Sequence, residues 1–466
     1  MDKKDRILLP KGSEYTVEIT DVNNLGSGVG HVEGKTLFVR GAVTGDVVRV
    51  SVIKDTVTYA VGRVLQIEKA SDVRTTETFC HAPDACGGCV HRYVTYEHEL
   101  ECKRAYVQNA FRKVGLADVC VAPVQTTGVT RGYRNKGQYP VKQGKNGMEA
   151  GFFASKTHNL VKADKCALQP AIFGQIVAFV CAFCDSHGIK AYDELTGKGL
   201  LRHIYLRESK NSQEVMLCLV LNGRGMPAEK RFIAEATAKF AQISGIVLNF
   251  NEKNTNVVLG KEYRTLWGKS DIEDELCGLH FRISPGSFYQ VNREGAELLY
   301  GLARKRAALT GKEILIDLYC GTGTIGLSMA KDAASLVGIE IVPEAVDCAR
   351  ENAARNGIRN ATFICNDAGD AQVILSACGG KAPDVAIIDP PRKGSTEGLV
   401  KCFAELGIAR VVYVSCDPDT LARDCKWFRE NGYEIGEVTP VDMFPRTGHV
   451  ESVVCLTRRL DVDMRR

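Results

Sequence analysis

The groups able to carry chemistry in this 466-residue chain are a cysteine at the end of an apolar run, acids at the ends of others, and a tight cysteine cluster. In "VVYVSCDPDTLARDC" (411–425) a strand-like stretch passes into Cys416 and then into Asp417 and Pro418. That stretch admits two readings. Cys416 is a nucleophile presented at a strand end, or a small core residue, since free cysteine is among the most buried residue types. Downstream, "MFPRTGHVESV" offers Glu451, an acid able to accept a proton, preceded by His449, which either orients it or packs. A thiolate that adds to an electron-poor carbon and a carboxylate that takes a proton from the adduct is chemistry such a pair permits.

A second set of residues suits a nucleoside cofactor. "DLYCGTGTIG" (317–326) follows an apolar strand and opens a helix, and Gly321 and Gly323 allow a ligand to approach the backbone at the helix start. At the end of the next strand-like run, "SLVGIE", stands Glu340, placed to accept hydrogen bonds from ribose hydroxyls. Two further strand-end acids follow, Asp367 in "CNDAGD" and Asp389 in "IIDPPRKG". The dinucleotide fingerprint's third glycine is missing, whereas the segment resembles motif I of S-adenosylmethionine-dependent methyltransferases.

Acid-Pro-Pro alone would suit methylation of an exocyclic amine, but the next strand ends in Cys416, which favours methylation at carbon. Pyrimidine C5 does not attack a methyl sulfonium unaided; thiolate addition at C6 makes it an enolate that does. "SPGSFYQVN" (284–292), "DLYCGTG", "DPPRKG", "SCDP" and "HVES" occur in this order between residues 284 and 452. In these motifs the sequence resembles the RNA uracil-C5 methyltransferase family, whose members form 5-methyluridine in ribosomal or transfer RNA. The resemblance implies Cys416 as nucleophile and Glu451 as proton acceptor. It implies cofactor contacts from Gln290, Tyr319, Thr324, Glu340, Asp367 and Asp389, with Phe288 stacking near the target base. Asp417 and Arg446 stand where many relatives have Asn and His, so neither receives a role. Arg392 either meets phosphate or enolate, or forms an exposed salt bridge.

Cys80, Cys86 and Cys89 follow C-x5-C-x2-C spacing, with Gly87 and Gly88 permitting a tight loop, and "ADKCALQ" offers Cys166 as a fourth ligand. In the family this arrangement resembles the four cysteines of a [4Fe-4S] cluster. Spacing alone leaves zinc with four thiolates, or free thiols, open. Radical chemistry is disfavoured because four cysteines would close the cluster. Cys181 and Cys184 lie in an apolar helix-like run and read as packed thiols.

These groups need elements to position them. Short alternating runs from 8 to about 68, separated by turns such as "NNLGSGVGHVEG", predict a closed or nearly closed β-barrel. At Leu25–Gly30 this resembles a TRAM domain, an OB-like RNA-binding barrel. Residues 93–115 predict an amphipathic helix, and "HIYLRES" and "EVMLCLVLN" a hairpin around "KNSQ". From 286 onward strand and helix alternate, implying a parallel sheet covered on both faces. The expected fold is α/β: a TRAM barrel (1–69), an α+β central RNA-binding domain bearing the iron-sulfur cluster (70–285), and a Rossmann-like class I methyltransferase domain (286–466).

The net charge of +4 is mild, so an anionic partner must be held by local patches. One candidate is "RGYRNKGQYPVKQGK" (131–145), where basic residues flank Tyr133 and Tyr139, rings that could stack on unpaired bases. The N-terminal stretch does not read as a secretory signal and no apolar run is long enough to span a bilayer, so a cytoplasmic protein without membrane attachment or obligate protein partner is expected. The expected substrate is 23S ribosomal RNA, with transfer RNA the alternative. Competing activities are RNA cytosine-C5 methylation, disfavoured because "DPPRKG" lacks a cysteine, and a non-catalytic cluster-bearing RNA-binding protein.

Overall fold

The computed structural model describes residues 7–82, 85–154, 157–163, 165–367, 369 and 371–459. The first sheet has six strands in the order Glu14–Glu18, Val47–Asp55, Tyr59–Lys69, Lys35–Arg40, Ser27–Val32, Asp21–Val22. Alternation drives it: Val48, Val50 and Val52 point inward and are almost fully buried, while their neighbours face out. The sheet curls until its ends meet. The Thr20 amide donates to the Val29 carbonyl at 2.8 Å, and a Cβ on Gly30 would stand 2.4 Å from a Val17 methyl.

A seven-stranded sheet follows, ordered Glu262–Gly268, Ile243–Phe250, Val215–Leu221, Leu201–Glu208, Lys136–Gly144, Gly147–Phe153, Leu160–Lys162. The expected hairpin is present, with Leu206 opposite Leu217. Helix Ala171–Ser186 covers one face and buries Cys181 and Cys184, matching their reading as packed thiols.

The helix expected over 93–115 runs Tyr96–Lys113, starting later because Thr95 serves as its N-cap. Its buried face does not stay with the central sheet. Val107, Ala110 and Phe111 share a core with Leu318, Leu421 and Val454 of the C-terminal part.

The C-terminal sheet runs Ala361–Cys365, Ser335–Glu340, Ile314–Leu318, Val385–Ile388, Arg410–Ser415, Glu451–Arg458, Tyr433–Ile435, with Thr439–Val441 paired to Glu451–Arg458 off this path. The first five strands are parallel, and all but the edge strand Ala361–Cys365 are buried on both faces, which explains their continuous apolar runs. Strand order reverses between Ile314–Leu318 and Val385–Ile388, and ligands of such sheets bind at the carboxyl ends beside that point. Glu451–Arg458 is inserted antiparallel between Arg410–Ser415 and Tyr433–Ile435. Its first residue therefore lies at the carboxyl end of its neighbour. Among the described residues no helix is long and apolar enough to cross a membrane.

Candidate active site

At the reversal point the chain turns sharply out of Ile314–Leu318. Tyr319 adopts φ 62°, a left-handed conformation rare for a residue with a side chain and common where strain serves a site. Gly321 follows at φ 55°, and a Cβ there would meet nothing within 4 Å, so its backbone is open to a ligand. Glu340 ties the neighbouring strand end to this turn, accepting from the Gly321 amide at 3.1 Å and from the Ile341 and Val342 amides at 2.9 and 3.0 Å.

Beneath the turn, buried Asp317 accepts from the Gly326 amide at 2.9 Å, and burial pushes its carboxyl up to about 7. Fully buried Tyr300 places its hydroxyl 3.0 Å from Thr324 Oγ1, shares a hydrogen bond with Gln290 and feels the charge of Asp389. Sequence reading missed Tyr300, because a tyrosine on the buried face of a helix (Arg293–Ala307) reads as core. The structure thus brings Gln290 and Thr324 to one hydroxyl, within reach of the charge of Asp389. Tyr319 is hydrogen-bonded to Ser395 and lies within the field of Asp367, an exposed acid whose Oδ1 accepts from the Gly369 amide at 3.0 Å. Phe288 is 65% exposed and does not line the cavity that holds Cys416.

Cys416 follows the strand Arg410–Ser415, and Ser415 pairs with Ser452 in an antiparallel register. One step further, that register sets Cys416 across from Glu451. Burial pushes the Glu451 carboxyl up to about 8, with the charge of Asp389 adding to the effect and Arg392 opposing it. Cys416 is only half-buried; burial first, then Glu451 and Asp389, push its thiol up to about 11, while Arg392 again favours the anion. Asp389 itself rises to about 7 through burial. Two carboxyls and a thiol therefore compete for negative charge beside one guanidinium. His449 is held below its ordinary value by burial and by Arg392, which keeps it neutral near pH 7.

The cavity of about 510 Å³ that contains Cys416, Arg392 and His449 is built from three parts of the chain. The barrel supplies Asn24, Leu25 and Arg40, and the cysteine loop supplies Gly87, Gly88 and Val90. These parts touch backbone to backbone. A Cβ on Gly448 would stand 2.1 Å from the Asn24 carbonyl oxygen, and one on Gly26 would stand 2.4 Å from Val90 Cβ. Asp417 and Arg446, which received no role from the sequence, are structural: Asp417 caps the helix Pro418–Glu430, and Arg446, at φ 69°, donates to the Val94 carbonyl at 2.9 Å.

Cys80, Cys86, Cys89 and Cys166 line a separate cavity of about 140 Å³. Burial first, then the other three thiols, pushes Cys89 up to about 12. Even so, among the described residues no three His, Cys, Asp or Glu side chains gather closely enough to hold one metal ion.

The expectation for 131–145 is corrected. Tyr133 and Tyr139 are 4% and 0% exposed; Tyr139 packs on Phe152 and donates to Gln169, and Tyr133 donates to the Pro445 carbonyl at 3.0 Å. Tyr139 lies on Lys136–Gly144, an interior strand under a helix, and Tyr133, ahead of that strand, packs with Phe79 and Leu168, so both rings face cores and cannot stack on bases. Burial also lowers Lys136 to about 8.

Comparisons with known proteins agree with this layout. A family model described as TRAM domain matches residues 10–65, one described as methyltransferase domain matches 309–390, and one described as tRNA (uracil-5-)-methyltransferase matches 381–459. An uncharacterized RNA methyltransferase of Clostridium acetobutylicum is 40% identical, covering 97% of this chain and 98% of its own. One from Bacillus cereus is 39% identical, covering 96% and 97%. Among solved structures, the Pyrococcus abyssi tRNA (uracil-54, C5)-methyltransferase in complex with S-adenosyl-L-homocysteine superposes with a TM-score of 0.76 at 28% identity, covering 95% of this chain and 99% of that one. With such relatives spanning nearly its whole length, the chain belongs to the S-adenosylmethionine-dependent RNA uracil-5-methyltransferase family and carries an N-terminal TRAM domain.

Proposed function

We propose that the protein methylates C5 of uracil in RNA, with Cys416 as nucleophile at C6 and Glu451 as the base that removes the C5 proton. The observation that carries this reading is the antiparallel pairing that brings Cys416 beside the start of Glu451–Arg458, with Cys416 lining a cavity shared with the barrel. S-adenosylmethionine, when bound, supplies an electrophilic methyl group. The open backbone at Gly321 and the strand-end acids suit such a ligand, and Gln290, Tyr319, Thr324, Glu340, Asp367 and Asp389 would hold it.

The Cys416 thiol gives its proton to solvent and its sulfur bonds to C6, which moves the C5–C6 π electrons toward O4 as an enolate. Arg392, which favours the charged form of both Cys416 and Glu451, stabilises that negative charge. C5 then takes the methyl group, and the electron pair of the broken sulfur–methyl bond stays on the donor sulfur, which leaves as a neutral thioether. Glu451 accepts the C5 proton, the C–H electrons re-form the C5–C6 double bond, and the thiolate leaves. Phe288, exposed and outside the cavity that holds Cys416, would stack near the target base.

For the RNA we favour large-subunit (23S) ribosomal RNA, on the strength of the barrel combined with the four-cysteine loop. A second reading, transfer RNA, is favoured by the likeness to the archaeal tRNA enzyme over 95% of this chain. The four cysteines suit a [4Fe-4S] cluster better than one zinc ion. Lining one cavity, the four thiolates would each hold one iron of such a cluster and give it a structural role.

The test is tritium release from RNA labelled at uracil C5, with unmodified large-subunit ribosomal RNA and transfer RNA run in parallel. Release from ribosomal RNA alone supports the full reading, and release from transfer RNA alone replaces the target. Release from neither overturns the uracil-C5 chemistry.

A further inference from the structure

A pair of rings lies stacked at the surface beyond the cysteine loop. Phe153, 36% exposed, ends the strand Gly147–Phe153, and His158 packs on it with ring centroids 5.0 Å apart and planes 22° apart. Glu194 holds the His158 edge, with Oε2 2.7 Å from Nδ1. Two cavities, of about 500 and 340 Å³, share these two rings.

The larger of them is also lined by Gly87 and Gly88, and both glycines line the cavity that holds Cys416. Cys86 forms a backbone bridge to Ala154, directly after Phe153, so the cysteine loop is fixed to the platform at one end. Val90 packs on Gly26 and lies against Gly448 at the other. Side-chain-free backbone at Gly87 and Gly88 therefore borders both the Cys416 cavity and the cavity beside the ring pair. Arg40, whose Nη2 donates to the Cys86 carbonyl at 3.2 Å, places a guanidinium beside this backbone.

Resting on the RNA reading above, we infer that Phe153 and His158 form a stacking subsite for an unpaired base of the substrate strand, beside the target uracil. Every base has a π face, so such a platform holds the strand without reading its sequence. The glycine floor leaves room for sugar and phosphate, and Arg40 neutralises phosphate on the way. A flipped-out uracil leaves its neighbours unstacked, and a platform next to the cavity compensates for part of that loss. The four cysteines then act mechanically, by holding the loop that spans both sites.

The test compares equilibrium binding of unmodified ribosomal and transfer RNA transcripts to the full-length protein and to Phe153→Leu and Phe153→Trp. Leucine keeps apolar bulk but removes the π face; tryptophan restores it. Phe153→Leu is expected to weaken binding of the better transcript roughly tenfold, and Phe153→Trp to match the wild type with its fluorescence quenched by RNA. Equal affinity for Phe153→Leu and wild type, as a protein-docking platform would give, overturns the subsite. So does a Phe153→Trp as weak as Phe153→Leu. Methyl transfer by the wild type, assayed on the same transcripts, separates the two ideas: its absence sinks the uracil-C5 reading, while the leucine–tryptophan contrast still judges the platform.

Discussion

Cys416 directly follows the strand Arg410–Ser415 and Glu451 begins the antiparallel strand beside it, each one position beyond the last registered pair, Ser415 and Ser452. Each lies within the electrostatic field of Arg392, and Glu451 raises the Cys416 thiol. The proposed nucleophile thus directly follows one paired strand and the proposed base begins its antiparallel neighbour, so strand pairing brings the two positions together.

Cys416→Ala is expected to abolish methyl transfer while RNA still binds, because the cavity walls from barrel and cysteine loop remain. Tritium release from C5-labelled RNA together with filter binding checks this; release at the wild-type rate would refute the nucleophile.

Glu451→Gln removes the base but leaves the thiol. Turnover should fall by about 10²–10⁴, and a methylated RNA–protein adduct stable to denaturation should accumulate. Gel mobility of denatured protein with labelled RNA gives the answer.

The pH dependence follows from the raised carboxyl of Glu451. Its charged form is the base, so the rate should climb as pH rises through about 8. The stability effect has the opposite sign. Between its ordinary value of 4.5 and about 8 the folded state binds the proton more tightly than the unfolded chain, so this stabilisation is lost as pH rises across that window. Glu451→Gln should therefore gain on the wild type in denaturant midpoint at pH 9 relative to pH 5.

Gly448→Ala forces a methyl group against the Asn24 carbonyl, an overpacking that costs about 1–3 kcal/mol. Because the strained contact joins the barrel to the loop before Glu451, kcat/KM for RNA should drop more than affinity for S-adenosylmethionine. Steady-state kinetics with each substrate varied in turn would show it.

Protein purified without oxygen should carry iron and sulfide, and Cys86→Ser should lose them along with visible absorbance. Zinc in place of iron, by elemental analysis, would overturn the cluster assignment. Loss of the group should also raise the KM for RNA, since Cys86 is bridged to Ala154 and the loop lines the Cys416 cavity.

Local features were readable in the amino-acid order. Gly321, Gly323 and Glu340 sit at turns and strand ends set by neighbouring residues, and the run of apolar strands with acids after them identified the parallel sheet. The barrel was legible because its inward valines alternate. Pairing between distant segments was not. That Glu451–Arg458 runs antiparallel beside Arg410–Ser415, that Tyr133 and Tyr139 face a core, and that Gly26, Val90 and Gly448 meet came from tertiary packing. A basic stretch with interleaved tyrosines looks the same in sequence whether its strand is interior or at an edge, and only the helix laid over it settled which. Likewise, no spacing rule connects residues 24, 90 and 448. Their contact depends on backbones approaching more closely than any side chain would allow, a requirement glycine reveals only once the partner is in place.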